Sequence, residues 1–552
     1  MAVWLLAGAA ILLFDFFIVK IPKSIESPFL SPGAVNFARS WRFRVVASPE
    51  GRMTPQERRG KQIYLKGSSP SGGAIQAIIG DSSSEVPAVT LPCAGCHGTD
   101  GRGRPEGGVI PSDITWKQLA KPYGITHASG RKHPAYTDRS MARAITDGVD
   151  PAGNPLAVAM PRYSISRKDL DDLIAYLKRL GEDQDPGLTE SSLRLGTILP
   201  AKGPLAEIGQ AMKAVMTAYF DEINAHGGIY HRKIELRVAE PGDTAAATRE
   251  NARRLIEKEE VFALVGALIA GADQEMASLI QGEEVPLVGP FTLFPEGSFL
   301  LNRYLFYVFS GLKEQGRALA DFAARKLRIQ APRAALVFPE TKIPLDLVEA
   351  IEEQCRKSGW SPLERIPYPP GRLESAPLVE RLSQGGTNAV FFLGSWEEGK
   401  AWMKEAATRK WTPHVFLPGS LVGKGIFDLP LSFQEKIYLA YPTLPSDQTP
   451  AGVMEYRALL EKHRLSTRHL AAQISAYCAA KILVEGLKLA GKELSREKLV
   501  VTLEGLYELD TGLSPRITYG PNRRIGALGA HIVAIDLQKR EFIPAGEWIG
   551  LD

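Results

Sequence analysis

The sequence predicts a multidomain chain: an all-α domain, followed by an α/β domain whose two lobes are parallel sheets covered by helices. Three observations predict it. The 552 residues exceed what one core organises, so about three or four folding units are expected. Between residues 53 and 181 apolar positions recur at helical spacing around a Cys-x-x-Cys-His motif. Beyond the polar hinge Asp183-Gln184-Asp185-Pro186-Gly187, short apolar runs alternate with helix-length segments, which is how strands buried on both faces read.

At the amino end, Ala2 to Val19 is apolar except for Asp15. As a helix it would span about 28 Å, close to the hydrocarbon thickness of a bilayer. Residues 1–20 are therefore expected to be a membrane anchor or a signal segment, and 21–52 a linker. The run lacks the basic start and the small-residue cleavage site of a secretory signal, which favours an uncleaved anchor. Lys20 and Lys23 follow it, and the positive-inside rule would place the carboxyl side in the cytoplasm, against what the motif below requires.

The segment 53–181 carries Cys93-Ala94-Gly95-Cys96-His97. Two thiols three positions apart can add to the two vinyl groups of one porphyrin, and the adjacent imidazole then lies under the iron. With 4 Cys and 9 His in the chain, random placement produces this pattern roughly once in two thousand such sequences. A thioredoxin-like dithiol or half a zinc site is the other reading, but Cys355 and Cys478 stand 123 residues apart and form no second ligand pair. Upstream, Thr54-Pro55-Gln56-Glu57 reads as a capped helix start, with Gly60 and Tyr64 one turn apart. Downstream runs His97-Gly98-Thr99-Asp100-Gly101-Arg102-Gly103. Together these resemble class I c-type cytochromes, in which the first helix carries a glycine that permits close crossing with the last.

The resemblance implies one covalent haem c on Cys93 and Cys96, with His97 as one axial ligand of the iron. For the other, Met160 in Ala159-Met160-Pro161-Arg162-Tyr163 leads, because Pro161 biases it towards extended backbone in a loop. Met141, His127 and His133 are the alternatives, and simple core packing of Met160 is another. Ser166-Arg167-Lys168-Asp169 then opens a closing helix with Leu170, Leu173, Ile174, Leu177 and Leu180 on one face and Tyr176 beside them. A Met/His pair suits electron transfer and leaves no site open for peroxide or oxygen. The Gly- and Ser-rich stretch Gly67 to Pro92 is expected to be a surface loop near the haem edge.

After a linker at 182–192, the domain 193–552 reads as alternating strands and helices. Strand-like runs fall at 193–199, 234–238, 261–266, 285–289, 334–338, 390–394 and 414–417. Leu199-Pro200 with Gly203, Glu222-Ile223-Asn224-Ala225-His226-Gly227-Gly228-Ile229, Lys233 to Leu236, and the strand ends at Val265-Gly266 and Pro286-Leu287-Val288-Gly289-Pro290 carry a second resemblance. They look like type I periplasmic binding proteins of ABC transporters, the branched-chain amino acid and amide group, whose two Rossmann-like lobes close over a small solute. The resemblance implies ligand residues at Ala270, Phe291, Thr292, Trp396 and Ser420. Where amino-acid binders place serines, this chain has Leu268-Ile269-Ala270, and near Pro418-Gly419-Ser420 it lacks the carboxylate that pairs the amine. A desolvated zwitterion needs both, so an apolar or aromatic solute, or an empty structural cleft, is expected instead.

The expected function is a periplasmic, membrane-anchored c-type cytochrome, an electron carrier and binding protein, not an enzyme. The alternative is an ABC-transporter solute receptor with an accessory cytochrome. A haem enzyme such as a peroxidase would need an open iron, and usually a second haem. The net charge of +4 gives no reason to expect nucleic acid, but 53–181 holds 17 Lys and Arg against 12 Asp and Glu. That excess would steer an acidic redox partner, a dehydrogenase or another cytochrome. The other expected partners are a small solute, an ABC permease and the inner membrane.

Overall fold

The computed structural model describes residues 54–551 apart from 81–83, 104–110, 128–129, 182–183, 296–301, 330 and 424. The segments expected at 1–20 and 21–52 lie outside the described residues. The described chain divides into two compact units that part between Gln184 and Asp185.

The main elements of the first unit are α1 (Pro55–Lys66), β1 (Gln76–Ile79), β2 (Ser84–Pro87), α2 (Cys93–His97), β3 (Ile125–Thr126), β4 (Lys132–His133), α3 (Asp138–Thr146), β5 (Arg162–Ser164) and α4 (Arg167–Leu177). α1 starts in a capping box: the Thr54 hydroxyl accepts from Glu57 N and the Glu57 carboxylate accepts from Thr54 N. Ser166 caps α4 in the same position, accepting from Asp169 N. The two helices cross with almost nothing between them. A Cβ added at Gly60 would lie 2.0 Å from Asp172 O, so only glycine admits this approach. Beside the crossing, the Arg59 guanidinium meets the Asp172 carboxylate with two bonds, 2.6 and 2.8 Å long, and the Tyr64 and Tyr176 rings lie 5.5 Å apart. Leu170, Leu173, Ile174, Leu177 and Leu180 are all buried in the unit's core.

This unit is not purely helical. The stretch read as a surface loop contains β1, which pairs antiparallel with β2 on one side and β5 on the other, in register Ala77↔Tyr163. The physical reason is tertiary: Ala77 is fully buried and Tyr163 sits opposite it on the core face, so a short strand of weak local preference is held by its partner.

In the second unit β6 (Ser192–Ile198), β7 (Lys233–Ala239), β8 (Ala263–Val265), β9 (Leu287–Val288) and β10 (Leu305–Phe309) join the strand Ile525–Ala527 in one parallel sheet, ordered Ile525–Ala527, β10, β9, β8, β6, β7. A second sheet runs β12-β11-β13-β14-β15, also parallel, with β11 (Ala334–Pro339), β12 (Glu364–Tyr368), β13 (Ala389–Phe392), β14 (His414–Pro418) and β15 (Ile437–Tyr441). Its far side departs from the expected all-parallel pattern, because Gly529–Asp536 and Glu541–Pro544 add to it antiparallel. Among the helices are α5 (Ala206–Ala225), α6 (Leu312–Asp321), α7 (Trp396–Thr408) and α8 (Leu470–Ala490). α8 is long and apolar enough to cross a membrane, but most of it is buried in the core, with Tyr477 against Tyr219 of α5.

The chain passes between the two sheets three times, after β10, after β15 and at Leu528. Ser310 ties two of those crossings: its hydroxyl donates to Ala527 O and accepts from Gly529 N, both at 2.9 Å. Gly529 has φ 154° and a Cβ there would meet Ile549 O at 2.3 Å, so the crossing strand turns where only glycine fits.

Gly60→Ala should destabilise the first unit by about 1–3 kcal/mol, the range for overpacking a tight core contact. Gly73→Ala, whose Cβ would meet nothing nearer than 3.8 Å, is the control. Thermal unfolding followed by near-ultraviolet circular dichroism checks it; equal melting of the two variants would show that the helices do not depend on this contact.

Candidate functional site

Two sites are built from these elements, one in each unit. In the first, α2 is a single turn that opens after Pro92 and carries Cys93, Cys96 and His97. Cys93 and Cys96 at i and i+3 lie on one side of the turn. Such a short helix does not hold itself, and three hydrogen bonds to main-chain carbonyls do so instead. Tyr64, fully buried, donates to Gly98 O at 2.6 Å. Tyr163 donates to Leu91 O at 2.7 Å. His97 Nδ1 lies 3.0 Å from Ser112 O. A carbonyl only accepts, so Nδ1 carries the proton and Nε2 keeps its lone pair for a metal. Burial also lowers the His97 pKa, favouring the neutral ring that ligation needs, and pushes the Cys93 thiol up to about 11.

This arrangement fits a covalently held haem. The thiols share a side, the imidazole has its outer partner, and the following backbone turns at Gly98, Gly101 and Gly103 with positive φ. At Gly101 a Cβ would strike Leu180 Cδ2 at 2.5 Å.

Met160 occupies the turn before β5, its N–H bonded to Ala157 O at 2.9 Å. Three residues later Tyr163 fastens that segment to Leu91, two residues before Cys93. The alternatives have other surroundings. His127 and His133 face each other on the β3–β4 hairpin, Nε2 to Nε2 at 2.9 Å, with Arg131 bridging to Asp150. Met141 is packed into the core from α3. Tyr163 and Ser112 escaped the sequence reading. Tyr163 sits in the Met160-Pro161 motif as an aromatic two positions on, whereas a carbonyl acceptor such as Ser112 O leaves no signal in residue type.

The second site is a cavity of ≈ 40 Å³ between the two sheets of the second unit. It lies where parallel strands end: Pro290–Leu293 follow β9, Val308–Ser310 close β10, Ser420 follows β14 and Thr443 follows β15. Gln315 of α6 and one flank of α8 complete the wall. Of the sequence candidates, Phe291, Thr292 and Ser420 are brought together here. Ala270 is buried in the core beside the first sheet. Trp396 opens α7 and packs in the core beside the second, against Gly423. Neither lines the cavity. Gln315, Ser310, Thr443 and Ser475 were not read from sequence, because they belong to the segments that cross between the sheets.

Comparison with known proteins gives a family match over each of the two units. The periplasmic binding protein family model matches residues 192–536, and the cytochrome c model matches 88–181. A Leu/Ile/Val-binding protein homolog of Brucella melitensis is 22% identical over 211 residues, a match that covers 38% of this chain and 56% of that protein. A Leu/Ile/Val-binding protein of Rhizobium johnstonii is 22% identical over 353 residues, covering 60% of this chain and 89% of that one. A branched chain amino acid ABC transporter structure from Thermus thermophilus with bound valine shares the fold at 18% identity, with a TM-score of 0.53, over 66% of this chain and 98% of that one. The chain thus belongs to the periplasmic binding protein family and carries a cytochrome c domain, and with it the means to hold haem c covalently, ahead of the binding domain.

Proposed function

We propose that the protein is a periplasmic electron carrier with one covalent haem c, held at the inner membrane by residues 1–20 and fused to a solute-binding module that localises or regulates it. The observation that carries this reading is the His97 Nδ1–Ser112 O bond, which leaves Nε2 to face a metal. Haem, when bound, supplies reversible one-electron chemistry. Cys93 and Cys96 would anchor it, the Ser112 carbonyl orients His97 as one iron ligand, and Met160, in the segment that Tyr163 tethers, would supply the other. With both ligands supplied by the protein, the haem would pass electrons and would not bind oxygen or peroxide, which is why we read the protein as a carrier and binder and not an enzyme. The redox partner is a periplasmic dehydrogenase or another cytochrome with an acidic face. A second reading, a transport receptor that delivers solute to an ABC permease, is favoured by the Leu/Ile/Val-binding names of its relatives. Neighbouring genes separate the two: permease and ATPase genes support transport, a periplasmic dehydrogenase gene supports electron transfer.

Haem should survive denaturing electrophoresis, and replacing both Cys93 and Cys96 by Ala should abolish haem staining. Haem extractable by acid acetone from the native protein would overturn the covalent assignment.

The ferric protein should show the weak near-infrared band of a sulfur-to-iron bond. Met160→Ala should remove that band and lower the midpoint potential, because a thioether stabilises ferrous iron. An unchanged spectrum would move the ligand to Met141 or to a histidine.

A further inference from the structure

We propose that the interlobe cavity takes an uncharged, weakly polar solute bearing a hydrogen-bond donor, not a zwitterionic amino acid. This rests on the reading of the second unit as a solute binder, and it names the class of solute. Among the described residues, none of the side chains on the cavity wall is charged. Its apolar body comes from Phe291, Val308, Phe309 and Ile474, and its polar groups are hydroxyls and one amide.

Three carboxylates bonded to wall residues or adjacent to them in sequence are committed elsewhere. Asp273 accepts from the Thr292 hydroxyl and, at 3.0 Å, from Gly271 N. Asp447 accepts from the Thr443 hydroxyl at 3.0 Å and from Leu444 N at 2.8 Å, and its other oxygen lies 2.7 Å from His531 Nε2. Glu314 caps its own helix, accepting from Gly311 N at 3.0 Å. An incoming ammonium group would therefore reach none of these three carboxylates without first breaking their bonds.

The same bonds decide what the threonines offer. A hydroxyl has one proton to give, and both threonines give it to an aspartate. Thr292 Oγ1 is occupied further by Phe294 N at 3.0 Å, which leaves the Thr443 oxygen as an acceptor. Gln315 and Ser420, both buried, bond each other at 3.2 Å. Ser310 is spent on Ala527 O and Gly529 N. A desolvated carboxylate also calls for a cation, and the described residues of this wall supply none. Helix α8 starts at Leu470, so Ala471, Ile474 and Ser475 bring its first two turns to the wall, and what they add is neutral: main-chain N–H groups and one hydroxyl, not a cation. An alcohol or primary amide can donate to Thr443 and exchange bonds with the Gln315–Ser420 pair while its carbon skeleton meets Phe291 and Phe309.

A matched series of probes tests the proposal on the full-length protein by calorimetric titration: leucine, 4-methylpentanoate, 4-methylpentan-1-ol and 4-methylpentanamide, which share one skeleton and differ in head-group charge. The alcohol or the amide should bind at least about tenfold more tightly than leucine or the acid, a tenfold difference being the step that one charge-assisted bond readily makes. Thr443→Val should weaken the neutral probe about tenfold and Thr443→Ser should restore it, with melting temperature recorded to show that both fold. Tighter binding of leucine overturns the solute class while leaving the cleft a solute site. Binding of none of the four overturns both. Neutral binding untouched by Thr443→Val places the solute elsewhere and overturns the proposal.

Discussion

Three hydrogen bonds into main-chain carbonyls hold the five-residue turn that carries Cys93, Cys96 and His97, and the rest of the first unit is arranged to deliver them. A helix of five residues has too few internal bonds to persist by itself. Tyr64 reaches Gly98 O only because α1 lies close against α4, an approach that Gly60 permits and the Arg59–Asp172 pair secures. Tyr163 reaches Leu91 O because β5 is paired to β1, which places the Met160 turn and the haem-attachment turn on one scaffold. Ser112 O fixes which imidazole nitrogen is proton-bearing. Removing any one of the three frees a degree of motion that a metal ligand set cannot tolerate, since ligation geometry follows from outer partners as much as from the ligands.

The second unit solves a different problem: two sheets must approach each other around a small cavity while the chain passes between them. Ser310 stitches adjacent crossings with one hydroxyl, and the residues that follow β9, β10, β14 and β15 form the wall. The fold leaves strand ends pointing at the same space, as parallel sheets do. What the space recognises is then a matter of which side chains are already satisfied. Here Asp273 and Asp447 are turned into structural acceptors, and the cavity is left neutral.

Much of this was legible from residues alone. The capping box at Thr54 and Glu57, the apolar face of α4, and most strands of the second unit follow from local periodicity and cap chemistry, which act over a few residues. The close crossing at Gly60 was implied by the resemblance to class I cytochromes, not by the residues alone. What escaped were features whose cause lies far along the chain. β1 has weak strand preference and exists because β5, over eighty residues later, supplies its partner. β15 and the strands after it were not read, although they complete the second sheet. Trp396, which could be read either as a ligand residue or as ordinary core, is the first residue of a helix that Ser395 and Glu398 cap, and it packs in the core.

The sequence by itself determined the chemistry of attachment, since two thiols and an imidazole at that spacing have few other uses, and it determined the order of domains through the change from helical to alternating apolar rhythm. Only the tertiary structure decided how the attachment turn is held and what the cavity lacks. Both depend on hydrogen bonds that residue type does not announce, most of them between groups tens of residues apart or more and one, Thr443 to Asp447, only four apart: a carbonyl acceptor is the same for every residue type, and whether a threonine gives its proton to an aspartate is set by the folded backbone.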